Sequence, residues 1–196
     1  MSSNNTAEMQ TAQLWDGPAR PAHPDTIVIG LGNPILGDDG LGWQAAAAVQ
    51  AGLPGAGLRL PVEVDTAALG GLSLMERLVG YRQAVIIDAI STRRGPPGSL
   101  WVFPLEELPR QAAAHLSAAH DTSLQTAIEL GRRLGAELPG RIIIVAVEAE
   151  ISYDFSETLT PAVAAALPQA AQAVIQTLAG WENSEPSPAV PLETRP

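Results

Sequence analysis

The chain has 196 residues, with no cysteine and no lysine, and sets 21 acidic against 11 basic side chains for a net charge of −10. That length suits one domain with a sizeable core. The two missing residue types exclude disulfides, thiolate-held zinc or iron–sulfur centres, thiol catalysis, and Schiff-base, Walker-type and Ser-Lys chemistry. The acidity disfavours nucleic acid and anionic membrane and favours a cation or a basic partner.

Residues 1–24 are polar, Pro/Ala-rich and aperiodic, and 182–196 repeat that character around Pro186, Pro188, Pro191 and Pro196. Both read as disordered arms, because they offer too little apolar surface to offset chain entropy, and 25–181 remains as a single domain. No secretion signal is visible, and the longest apolar runs, such as Ile142 to Val147, fall short of the ~20 residues of a membrane span. A cytoplasmic protein, a monomer or weak oligomer without membrane contact, is expected.

Within the domain, β-branched runs predict strands at Thr26–Leu31, Val62–Asp65, Ala84–Asp88, Leu100–Phe103 and Arg141–Val147. Helices are predicted over about 40–51, 72–80, 122–136 and 161–179. Asp121 or Thr122 is placed to cap the third, and Thr160-Pro161 opens the fourth, which Pro168 should kink. Ile27-Val28-Ile29, Val85-Ile86-Ile87 and Ile142 to Val147 are continuously apolar, as in strands covered on both sides. The alternation predicts an α/β three-layer sandwich, with a mostly parallel sheet of about five strands and helices on both faces.

Reactive groups in such sheets gather beyond the carboxyl ends of the strands. There the first strand runs into Gly32-Asn33-Pro34-Ile35-Leu36-Gly37-Asp38-Asp39-Gly40, the second ends at Asp65, the third at Asp88, and the last runs into Glu148 and Glu150. Gly30-x-Gly32 is not a dinucleotide fingerprint, since Ile35 stands where the third glycine belongs. Asp38-Asp39 occupies the place a phosphate loop gives to Lys and Ser/Thr. The glycines provide a tight strand exit, and the two aspartates suit a helix N-terminus or a cation equally well.

Asp88 lies between Val85-Ile86-Ile87 and Ala89-Ile90, so its carboxyl must be paired, protonated or metal-bound. His120 precedes the third predicted helix; His23 falls in the N-terminal arm, and His115 would need a different local geometry. Asp39, Asp88 and His120 together supply two oxygens and one imidazole. Nickel, zinc, manganese or iron suits such a set, with positions left open for water or substrate. No HExxH helix is present.

The segment Gly30-Leu31-Gly32-Asn33-Pro34-Ile35-Leu36-Gly37-Asp38-Asp39-Gly40-Leu41-Gly42 resembles the opening signature of the hydrogenase maturation proteases. The likeness continues through Asp65, Asp88-Ala89, His120-x-x-x-Leu124 and Leu159-Thr160-Pro161-x-Val163, in order over about 26–178. The resemblance implies an endopeptidase that trims the C-terminus of a nickel–iron hydrogenase large-subunit precursor. It also implies that Asp39, Asp88 and His120 engage nickel already inserted in that precursor, so that cleavage checks metal loading. One departure stands out: Asp65-Thr66-Ala67-Ala68, with Gly70-Gly71 displaced, replaces the family's frequent Asp-Gly-Gly-Thr.

Water is the expected nucleophile, because cysteine is absent and no Gly-x-Ser-x-Gly elbow occurs. Asp39 or Asp38 would serve as base, with Asp39 preferred and Asp38 orienting the loop. Glu148 reads as an exposed loop residue, with a part in reading the scissile tail as the alternative. Arg93-Arg94 reads as a solvated turn, with contact to an acidic stretch of the partner as the alternative; Trp43 and Trp101 read as either core or interface. Two other readings use the same acidic rim: a nickel-binding hydrogenase chaperone that cuts nothing, and a general metallo-aminopeptidase-like hydrolase.

Overall fold

The structure, a computed structural model, describes residues 24–108, 123–150 and 155–184. Strands β1 (Thr26–Leu31), β2 (Val62–Ala67), β3 (Gln83–Ile90), β4 (Leu100–Pro104) and β5 (Arg141–Glu148) form one sheet in the order β2-β1-β3-β5-β4. Every pairing is parallel except that of β4, which lies antiparallel to β5 at one edge. The helices are α1 (Leu41–Gly52), α2 (Gly71–Arg77), α3 (Leu124–Arg133) and α4 (Pro161–Glu182).

Alternation along the strands divides the core in two. Ile27, Ile29, Ala84, Ile86, Ile142 and Ile144 pack with Leu74 and Leu78 in and after α2 and with Leu124 and Ile128 of α3. Val28, Val85, Ile87, Val145 and Val147 pack on the opposite side with Leu41, Ala45 and Val49 of α1 and Val163, Val174 and Leu178 of α4. The expected three-layer α/β sandwich is therefore present, and the continuous apolar runs are explained: β1, β3 and β5 are covered on both faces.

The departures from the sequence reading are local. β2 and β3 each run two residues past the aspartates expected to end them. Ser123, not Asp121 or Thr122, caps α3, its Oγ accepting from the Thr126 amide at 3.3 Å. Asp121 and Thr122 lie outside the described residues. Helix α4 is continuous through Pro168. It reaches Glu182, whose Oε1 accepts the backbone N–H groups of Arg59 (2.7 Å) and Leu60 (3.1 Å) and so ties the last turn to the chain entering β2. Helix α4 has the length and mean hydropathy, 1.2, of a membrane span. One side of it nevertheless packs in the core through Val163, Ala170, Val174 and Leu178.

Candidate active site

At the carboxyl edge of the sheet, β1 leaves through Gly32, whose φ of +122° suits glycine; a Cβ there would stand 1.8 Å from the Asp39 carbonyl oxygen. The chain therefore folds back as a short 3₁₀ turn, Gly37–Gly40, that brings Asp38 and Asp39 against the strand exit. Gly42 sets the next contact. A Cβ there would fall 2.1 Å from the Leu31 carbonyl oxygen and 2.7 Å from that of Ile87, so the start of α1 lies directly on the ends of β1 and β3.

The two aspartates of the turn differ in surroundings. Asp38 is buried, and both its oxygens are engaged by Thr160: Oδ1 accepts the backbone N–H at 2.6 Å and Oδ2 the hydroxyl at 2.9 Å. It joins the turn to the first residues of α4, across 122 positions of sequence. Asp39 is half-buried, and its Oδ2 accepts the Asn33 amide at 2.6 Å. Asn33 in turn accepts the Ile35 amide on its own side-chain oxygen at 3.2 Å, which closes the loop locally.

Asp88 is 3% exposed, and its Oδ2 has no hydrogen-bond partner among the described residues. By alternation it falls on the face covered by α2 and α3. Burial first, and the Asp39 carboxylate second, push its pKa well above the usual carboxylate range, against a hydrogen bond from the Ala89 amide. The fold thus brings Asp39 and Asp88 into electrostatic contact, one half-open and one enclosed. Such a pair is relieved by a shared proton or by a cation. The orphaned oxygen and the hard and borderline donors fit a divalent metal. His120 lies outside the described residues, as do His23 and His115, and among the described residues no group of three metal-ligating side chains forms.

The other acidic residues take other roles. Asp65 is not at the site: it sits within β2 opposite Ile29 and pairs through Oδ2 with Arg77 Nε at 2.8 Å. Glu63 and Tyr81 complete that cluster. Burial would raise the Glu63 pKa, but hydrogen bonds from Arg77 and Tyr81 prevail and lower it. Glu148 is not an exposed loop residue. It is 3% exposed and accepts from the Thr92 amide (2.6 Å), the Thr92 hydroxyl (2.6 Å) and the Arg93 amide (2.7 Å). Glu150 is exposed. Trp43 donates to the Ala67 carbonyl at 3.4 Å, whereas Trp101 is partly exposed on the edge strand. Thr160 as the partner of Asp38 went unread, since nothing local in sequence joins them. The burial of Glu148 had a signal: it continues the apolar run 142–147 and is followed by Ala149.

A doubly covered, mostly parallel five-stranded sheet with a carboxylate pair at its carboxyl edge defines a three-layer α/β protein with its candidate site beyond the strand ends. Solved structures share it. The hydrogenase maturating endopeptidase HybD of Escherichia coli superposes with a TM-score of 0.60 at 23% identity, covering 80% of this chain and 93% of that one. A solution structure of an Escherichia coli endopeptidase gives 0.63 at 24% identity, with the same coverage. In sequence, the hydrogenase expression/formation protein HupD of Thiocapsa roseopersicina is 26% identical over 176 residues, 86% of this chain and 77% of its own. The hydrogenase 2 maturation protease of Escherichia coli K12 is 27% identical over 154 residues, 78% of this chain and 89% of its own. The family profile described as hydrogenase maturation protease (HycI) matches residues 61–177. The chain belongs to the hydrogenase maturation protease family and is a peptidase.

Proposed function

We propose that this protease removes the C-terminal extension of a nickel–iron hydrogenase large-subunit precursor, in the cytoplasm, once nickel has entered that precursor. One observation carries the reading: Asp88 is enclosed with a free Oδ2 and feels the charge of Asp39. A pair in that state calls for a positive charge, and a cation arriving with the substrate supplies it only when a loaded precursor is docked. Nickel is then the substrate's cargo and not a resident cofactor; another divalent metal can take its place in the isolated protein.

Asp39, Asp88 and His120 would hold the metal, which when bound polarises a carbonyl or lowers the pKa of water. The protein's own groups supply the remaining chemistry. Asp39, the more accessible carboxylate, takes a proton from the attacking water and returns it to the leaving amine. The Asn33 amide fixes its Oδ2. Asp38 holds no free oxygen for proton transfer, because Thr160 engages both. Its part is to fix the turn that carries Asp39.

Purified precursor, with and without nickel, incubated with the wild type and with Asp39→Asn, tests the reading by intact mass. Loss of a C-terminal peptide is expected only with nickel and only with the wild type. A nickel-loaded cognate precursor that binds the wild type stably but stays full-length would overturn it.

A further inference from the structure

The turn between β3 and β4 is held far more firmly than a solvated turn requires. Glu148 accepts three hydrogen bonds from Thr92 and Arg93 on its buried carboxylate. Its backbone oxygen accepts the Gly98 amide at 2.8 Å, and its backbone N–H donates to Ser99 at 2.9 Å. Both ends of the turn are therefore stapled to one residue. Within it Arg93 adopts a φ of +58°, the one non-glycine residue with positive φ among those described. A side chain held there costs free energy that ordinary turns avoid by placing glycine or asparagine at the position.

Arg93 is exposed and forms no ion pair among the described residues. It lines a cavity of about 470 Å³ shared with Ser91, Gly95, Pro97, Glu148 and Glu150, which lies in the size range of small-ligand sites. The cavity sits at the carboxyl ends of β3 and β5, the edge that also carries Asp39 and Asp88. Both Glu148 oxygens are occupied from within, so the guanidinium of Arg93 is the group in this cavity free to receive an anion.

We propose that Arg93 is a substrate-binding residue that seats one carboxylate of the precursor's C-terminal extension, and that Glu148 positions it. The inference deepens the proposed function and rests on it, since the cleaved segment is taken to be a C-terminal peptide. A guanidinium receives a carboxylate through two parallel N–H groups. Fixing the backbone beforehand reduces the ordering cost of that contact. The exposed Glu150 in the same cavity repels further negative charge, which favours a single carboxylate over an acidic run. That carboxylate is either the terminal one or an Asp or Glu side chain of the extension.

The test measures binding of a labelled synthetic peptide with the sequence of the cognate extension to the full chain by fluorescence anisotropy, alongside precursor cleavage. Arg93→Ala should weaken peptide binding about tenfold, the lower range for a charge-assisted hydrogen bond. It should raise KM by a similar factor and leave kcat near the wild-type value. Arg93→Gly should do the same while relieving the positive φ, which separates loss of the guanidinium from a disturbed turn. An amidated peptide loses the Arg93 dependence if the terminal carboxylate is bound; a peptide with its Asp and Glu neutralised loses it if a side chain is. Equal binding and equal KM for wild type, Arg93→Ala and Arg93→Gly would overturn the subsite, as would a wild type that fails to bind the peptide. Arg93-dependent peptide binding by a wild type that never shortens the nickel-loaded precursor would instead overturn the cleavage reading alone.

Discussion

Replacing Asp88 with asparagine removes one proton-binding site from the interior and leaves shape almost unchanged. The native pKa is raised, by burial first and Asp39 second, so the folded chain keeps a proton that the unfolded chain has released. From the unfolded value near 3.9 up to the native value, each pH unit therefore subtracts about 1.4 kcal/mol from wild-type stability. Asp88→Asn carries no such dependence at this position and can still accept the Ala89 amide on its side-chain oxygen. Urea unfolding of both proteins at half-unit steps from pH 4 to pH 8, with a chelator present, measures the difference. The variant should gain on the wild type as pH rises, at up to that slope, until Asp88 ionises in the native state; the gain then levels off. It should also process no precursor. In Asp39→Asn the slope at Asp88 should end at a lower pH without vanishing, because burial is the larger cause. A stability difference between variant and wild type that does not change with pH would refute the reasoning and place Asp88 in a structural network.

Other substitutions separate positioning from chemistry. Thr160→Val leaves the backbone bond to Asp38 Oδ1 but strips the partner from buried Oδ2. A loss of about 1.5–3 kcal/mol in urea unfolding is expected for a charged acceptor, with lower kcat as the turn bearing Asp39 loosens. Gly42→Ala should destabilise by about 1–3 kcal/mol despite the better helix propensity of alanine. Its Cβ would meet the Leu31 and Ile87 carbonyl oxygens, so a stabilised variant in thermal melts would show that α1 is free to lift. Glu148→Gln should raise KM with little change in kcat, because it loosens the turn carrying Arg93 and touches no reacting group. An unchanged KM in precursor kinetics would show that the turn holds itself.

Much of the architecture was legible because each segment carries its own period. Ile27-Val28-Ile29, Val85-Ile86-Ile87 and the 142–147 run are apolar at every position, and only a strand covered on both faces satisfies that pattern. The three central strands follow from it, and β-branched residues marked the two edge strands, β2 and β4. Asp39 and Asp88 stood out for a related reason: one closes a glycine-rich strand exit, and the other interrupts an apolar run. What failed to show was decided between elements. Asp65 and Asp88 looked alike as strand-ending acids. Arg77, twelve residues beyond Asp65, reaches one of them, whereas no partner in the described chain reaches the free oxygen of the other.

Sequence alone therefore determined which residues are too polar for their neighbourhood, since local hydropathy contrasts an aspartate with the residues beside it. Tertiary structure alone decided what became of each one. Asp38 met Thr160 across 122 positions, Glu148 met Thr92 across 56, and Asp39 came within electrostatic reach of Asp88. A buried carboxylate's chemistry depends on the donors and charges that surround it in space. Chain order does not encode those neighbours until the sheet brings its carboxyl ends together.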